Sequence, residues 1–174
     1  MSLVKVFLTT ILLCVATNAS AQHQHDSKNH QPYADLKGRD IKALSQQQID
    51  DLKAGKGMSL ALAAELNGYP GPAHVLELAD QLKLNEQQKK RMQEMFKAMT
   101  KETRTLGIMV IEEEKKLNKL FKNKLANEQN LKEATLKIGE AQAKLREAHL
   151  RYHLLTTVIL SKEQIDNYNR LRGY

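Results

Sequence analysis

The chain has 174 residues, with 27 Lys and Arg against 20 Asp and Glu for a net charge of +7, a single cysteine and no Trp. Leu, Ala, Lys, Glu and Gln dominate and strand-type alternation is absent, which excludes a strand-rich fold, while one cysteine excludes a disulfide framework. Eight Phe and Tyr in all leave little to stack on bases, so no nucleic-acid partner is expected; the basic balance suits acidic or unfolded chains and would tolerate an anionic membrane surface.

Residues 1–21, MSLVKVFLTTILLCVATNASA, carry one cation (Lys5), an apolar run over 6–15 and a small-residue ending at Ala19, Ser20 and Ala21. That is the pattern of a secretory signal peptide cleaved after Ala21. The apolar run is shorter than the roughly 18–20 residues a membrane-spanning helix needs. Leu13 before Cys14 makes a poor lipoprotein site. Cleavage leaves an exported, cysteine-free chain that depends on apolar burial or oligomerisation for stability. Residues 22–44 are polar and lack periodicity, and predict a flexible leader in which His23, His25 and His30 could at most scavenge metal. A single all-helical domain is expected over 45–174.

In chain order, a short helix is predicted to begin at Ser45 and end near the glycines of 54–57. Residues 58–66, MSLALAAEL, predict a second short helix, buried because it is apolar nearly all round. NGYPGP at 67–72 is a turn, with Pro72 placed to open a third helix whose Val75, Leu78, Ala79 and Leu82 share a face. Two long helices follow, over 86 to about 122 and over 128–159. In the first, Met92, Phe96, Met99, Thr103, Leu106, Val110, Glu113, Leu117 and Leu120 recur in steps of four and three. In the second, Leu131, Ala134, Ile138, Ala141, Leu145, Ala148, Tyr152, Leu155 and Ile159 do the same. Such steps give one narrow seam per helix, and the short connector at 123–127 predicts an antiparallel hairpin with helices roughly 45–55 Å long. Glu113 is expected to be exposed where the stripe drifts, or else paired with a cation, and Thr103 with Gly107 marks a thin spot. A last helix is predicted from Ser161 to about Leu171. The fold class is therefore all-α, an elongated hairpin with short flanking helices.

One pentapeptide pattern occurs three times: LSQQQ at 44–48, LNEQQ at 84–88 and LSKEQ at 160–164. In each, Ser45, Asn85 or Ser161 suits a helix N-cap, and Gln48, Gln88 or Gln164 can reach back to the cap amide, completing a capping box. The leucines Leu44, Leu84 and Leu160 stand where a hydrophobic staple begins, with apolar partners at Ile49 and Ile165 but Lys89 at the second copy.

Behind a signal peptide, on a basic, helical, cysteine-free chain, the copies built on Leu84, Asn85 and Gln88 and on Leu160, Ser161 and Gln164 resemble the Spy/CpxP-like family of periplasmic proteins. That family is named for an L-T-x-x-Q motif and is related to ZraP- and CnrX-type periplasmic metal-binding proteins. Asn and Ser here stand in place of the motif's Thr, and the resemblance covers about 72–174. It implies a hooked hairpin pairing into a cradle-like homodimer in the periplasm. It also implies an ATP-independent chaperone or envelope-stress protein that binds unfolded clients or the periplasmic domain of a membrane sensor, or else a metal-responsive protein.

Read from the residues, the surface for such partners is the start of the first long helix. Met92, Met95, Phe96 and Met99 offer adaptable apolar contacts, and Lys89, Lys90 and Arg91 attract acidic segments. The alternative reading is a heavy-metal sensor or resistance protein. His149 and His153 lie one helical turn apart, as two imidazoles on one Zn²⁺, Cu²⁺ or Ni²⁺ require, and His74 is the helical candidate for a third ligand. Neither reading requires a cofactor for folding. An enzyme is not expected, for there is no Gly-rich phosphate loop, nucleophile elbow or H-E-x-x-H.

Overall fold

The computed structural model describes residues 33–174, so the segment expected as a signal peptide and the histidine-bearing part of the expected leader lie outside the described residues. The unit from Asp35 to Tyr174 is helical, and no strand occurs among the described residues. After a 3-10 turn at Ala34–Leu36 come α1 (Gln46–Ala54), α2 (Leu62–Glu65), α3 (Pro72–Glu77), α4 (Glu86–Lys122), α5 (Glu128–Ile159) and α6 (Lys162–Arg172).

Capping explains most of these boundaries. Ser45, Asn85 and Ser161 each accept a hydrogen bond from the backbone N–H three residues on, and Gln48, Gln88 and Gln164 return the bond to the cap amide. Asn127 and Asn130 form a fourth box at the start of α5, built from two short amides instead of the expected pattern. Left-handed glycines, Gly55 at φ 71° and Gly173 at φ 80°, close α1 and α6.

α4 and α5 pack as the antiparallel hairpin, with Thr156 against Met92 and Arg151 against Glu102. Two apolar clusters hold the other elements to it. In the first, Ile41 and Leu52 meet Val110, Ile111, Ala141 and Leu145. In the second, Val75, Leu82 and Leu84 meet Met92, Leu160 and Tyr168, so α3 and α6 cover the open end of the hairpin. Gly107 is where α1 docks: a Cβ there would stand 2.3 Å from the Leu52 carbonyl oxygen. One turn earlier, the buried Thr103 hydroxyl donates to Met99 O at 2.9 Å, and lies 3.2 Å from Gly55 O. The thin spot expected at Thr103 and Gly107 is thus the seat of α1.

Several expectations are corrected. The leader does not extend to 44 as a free segment, because Ile41 is buried in the first cluster and Leu44 packs against it. Residues 58–66 are not one buried helix. Met58 and Ser59 adopt left-handed φ of 44° and 64°, only Leu62–Glu65 is helical, and Met58, Leu62 and Leu66 are exposed. The third helix stops at Glu77 and the chain continues in turns to Lys83 at φ 49°. Both seams hold in their middles and at Met92, but lapse near the open end and at Leu131 beside the connector. Phe96 and Leu155 are exposed while Met95 and Thr156 point inward. Glu113 is partly shielded and paired with Lys116 at 2.6 Å.

Candidate functional site

Between the two apolar clusters lies a polar layer whose centre is Glu65, 4% exposed at the end of α2. An isolated carboxylate at such depth is costly, and here it is offset by convergent donors. Glu65 Oε1 accepts from Tyr168 OH at 2.5 Å, His74 Nδ1–H at 3.2 Å and Tyr174 OH at 3.3 Å, with Arg172 Nε 3.5 Å away. Oε2 is buried without a hydrogen-bond partner, 3.6 Å from His153 Nδ1. Burial pushes the Glu65 carboxyl up, but hydrogen bonds from His74 and Tyr168 and the charges of His74 and His153 outweigh it and hold it at about 2. Burial, then the bond to Glu65, pushes the Tyr168 hydroxyl upward, so it stays a donor.

The turn at 67–72 brings a backbone carbonyl to the same place. His153 Nδ1–H donates to Tyr69 O at 2.7 Å, which settles its tautomer and leaves the Nε2 lone pair free. Gly71 makes room for this ring, for a Cβ there would meet His153 Cε1 at 2.8 Å. His74 is oriented in the same way by Glu65, again through Nδ1. One turn before His153, His149 is 4% exposed and its Nε2 is buried without a partner. Burial first, then the neighbouring His153, lowers the His149 pKa and keeps the ring neutral.

The three histidines expected as metal ligands, His149, His153 and His74, therefore line one cleft of about 350 Å³, together with Glu65, Met58 and Met99. Their ligating atoms are not yet gathered: among the described residues no three His, Cys, Asp or Glu side chains form a metal-holding group. Imidazole and carboxylate are donor types that transition metals take, and both line this cleft.

The surface expected for clients divides. Met92 is fully buried and Met99 is 9% exposed, so both belong to the interior, and Met95 packs against the second cluster with Thr156 Oγ1 3.4 Å from its sulfur. Lys89 is half-buried and lies between Asp80 and Glu86 at 3.6 and 3.5 Å, while Lys90 and Arg91 are exposed. Phe96 instead opens a groove of about 500 Å³ along α4, lined with Lys97, Lys101, Arg104 and Ile108. On α5, Leu154 and Val158 are also exposed. No described helix is long and apolar enough to cross a membrane.

The cap residues Gln88 and Gln164 meet across 76 positions of sequence. Each side-chain amide donates to the other's oxygen, at 2.8 and 3.1 Å, and each Nε2 gives a second bond to a carbonyl, of Ile159 or Leu82. Local capping does not disclose this pairing. Nor does the sequence single out Glu65, Met58 or Tyr168. The available signal was Glu65 itself, a lone carboxylate near the end of the apolar run 58–66. Comparison with protein-family models, curated proteins and solved structures finds no match to the chain.

Proposed function

We propose that the chain is an exported periplasmic metal-binding protein, a sensor or resistance protein of the Spy/CpxP-like kind, that takes a transition-metal cation at His149 and His153. The observation carrying this reading is the buried, unpartnered Nε2 of His149, one helical turn from a His153 already oriented through Nδ1. A buried nitrogen without a partner costs about 1–3 kcal/mol, and a cation in the cleft would recover it. Glu65 supplies compensating charge, and His74 lines the same cleft. Imidazole donors suit Zn²⁺, Cu²⁺ and Ni²⁺. The test is titration of these ions into the full chain and into a His149→Ala/His153→Ala variant. Binding that is micromolar or tighter and lost in the variant supports the site; equal binding in both would move the metal to the leader histidines.

A second reading, an ATP-independent chaperone or stress-response adaptor, is favoured by the α4 groove, where exposed Phe96 and Ile108 lie among Lys97, Lys101 and Arg104. Its occupants would be unfolded acidic chains, the periplasmic domain of a membrane sensor, or a second copy forming a homodimer. Salt-sensitive suppression of aggregation of an unfolded test protein without ATP would support it, and no effect at several-fold molar excess would remove it.

A further inference from the structure

The ligands left over in the histidine cleft discriminate among metals. Glu65 Oε1 is shared by Tyr168, His74 and Tyr174, and His74 Nδ1 is committed to it. The Nε2 atoms of His149 and His153 have no hydrogen-bond partner, and His74 keeps its own Nε2 beyond the Nδ1 bond, so the nitrogen donors by themselves do not choose between Zn²⁺ and a softer ion. The same cleft is lined by two thioethers, Met58 and Met99. Thioether sulfur is a soft, uncharged donor that selects Cu(I) over harder ions. Met58 is also held in the left-handed region at φ 44°, a conformation a non-glycine residue adopts at a cost and one that collects at functional sites.

We propose that the cleft bounded by α2, α3 and the α4–α5 hairpin is a site for a soft monovalent cation, Cu(I) or its analogue Ag(I), in which the sulfurs of Met58 and Met99 complete a set begun by His149 and His153. This rests on the metal-binding reading above and adds the class of metal and two ligands. Glu65, the adjacent buried carboxylate, already faces Arg172 Nε at 3.5 Å. The cost of a buried charge grows with its square, so a monovalent ion is easier to accommodate in this cleft than a divalent one. A cleft of about 350 Å³ is wide for a bare ion, and the unbranched Met side chains, with three rotatable bonds each, can close on it.

The test uses the full chain with His23, His25 and His30 changed to Asn, so that leader histidines do not contribute. Cu(I) is titrated anaerobically against a chromophoric Cu(I) chelator, Ag(I) in parallel, and Zn²⁺ separately. Met58→Leu/Met99→Leu is expected to weaken Cu(I) and Ag(I) by roughly tenfold or more while leaving Zn²⁺ within about twofold, as loss of soft donors predicts. X-ray absorption of the Cu(I) protein with both methionines in place should show sulfur in the first coordination sphere, a readout independent of whether the variant folds. Because Met58 is exposed, Met58→Leu alone provides a second variant with little risk to folding. Nitrogen-only coordination, or Cu(I) affinity unchanged in the Met variants, overturns the thioether site while leaving a histidine site standing. Absence of any metal binding that depends on His149 and His153 overturns both.

Discussion

Gln88 and Gln164 begin different helices and bond to each other through both side-chain amides. Gln88 Oε1 also accepts from Asn85 N at 3.1 Å and Gln164 Oε1 from Ser161 N at 2.9 Å, so each amide serves as a cap and as a clasp between the start of α4 and the start of α6. Gln48 provides a comparison, because it completes the same capping box at Ser45 and has no such partner on another helix among the described residues.

That contrast sets the first prediction. Gln48→Ala removes a cap interaction and should cost about 1 kcal/mol. Gln88→Ala or Gln164→Ala also leaves the partner amide and a backbone carbonyl unpaired, and should cost about 2–3 kcal/mol. In urea unfolding, the double variant should lose about 1 kcal/mol less than the sum of the singles. Strict additivity would show that the two amides act as independent caps.

The Gln pair also separates what can be read locally from what cannot. Asn85, Ser161 and their glutamines mark helix starts because a capping box is complete within four residues. The pairing of those glutamines depends on how α5 returns to α4, which no local pattern records. The same holds for Glu65 and Tyr168, 103 positions apart. His149 and His153 were legible as a pair because helical spacing alone places them together, whereas Met58 was hidden by the reading of 58–66 as regular helix. Its left-handed backbone does not follow from residue preference, since Met is an ordinary helix former. Near the open end, where α3 and α6 join the hairpin, Phe96 and Leu155 leave the seam while Met92 stays buried in it.

Gly107→Ala sets two effects of opposite sign against each other. Within a helix, alanine is favoured over glycine by up to about 1 kcal/mol. Against that, the new Cβ would stand 2.3 Å from Leu52 O and 2.9 Å from its carbonyl carbon, backbone atoms that cannot rotate away. Displacing α1 should win, for a net loss of about 1–3 kcal/mol in chemical denaturation. Gly139, where an added methyl would meet nothing within 4 Å, should instead gain from the same change. A stabilised Gly107→Ala protein would show that α1 does not sit on α4 in this way.

Acid should destabilise the metal-free protein through Glu65. A carboxyl whose pKa falls on folding contributes stability above its unfolded value and loses it as pH drops through the folded one. With the carboxyl going from 4.5 to about 2, the contribution of about 3 kcal/mol should disappear across that window. Glu65→Gln should flatten this acid limb while lowering stability at neutral pH. An acid limb of the same size in the variant would assign it to other carboxylates.

His149 gives the sharpest separation of function from stability. Its Nε2 is buried and unpaired, and burial with the nearby His153 lowers its pKa below 6.5. A histidine of this kind is neutral in the fold, so stability it allows above pH 6.5 is lost as pH falls and the unfolded state takes the proton. His149→Leu removes both the unpaired nitrogen and that acid sensitivity, and should stabilise the metal-free protein by about 1–2 kcal/mol. Saturating metal at about a hundredfold over Kd should stabilise the unmutated protein by about 2.7 kcal/mol, an increment that chelator reverses and that His149→Leu abolishes. If the ring were only a packing element, the leucine variant would melt lower in the absence of metal and its response to metal would match that of the unmutated chain. A variant that is more stable without metal and unresponsive to it is the signature of a residue retained for binding despite its cost to the fold.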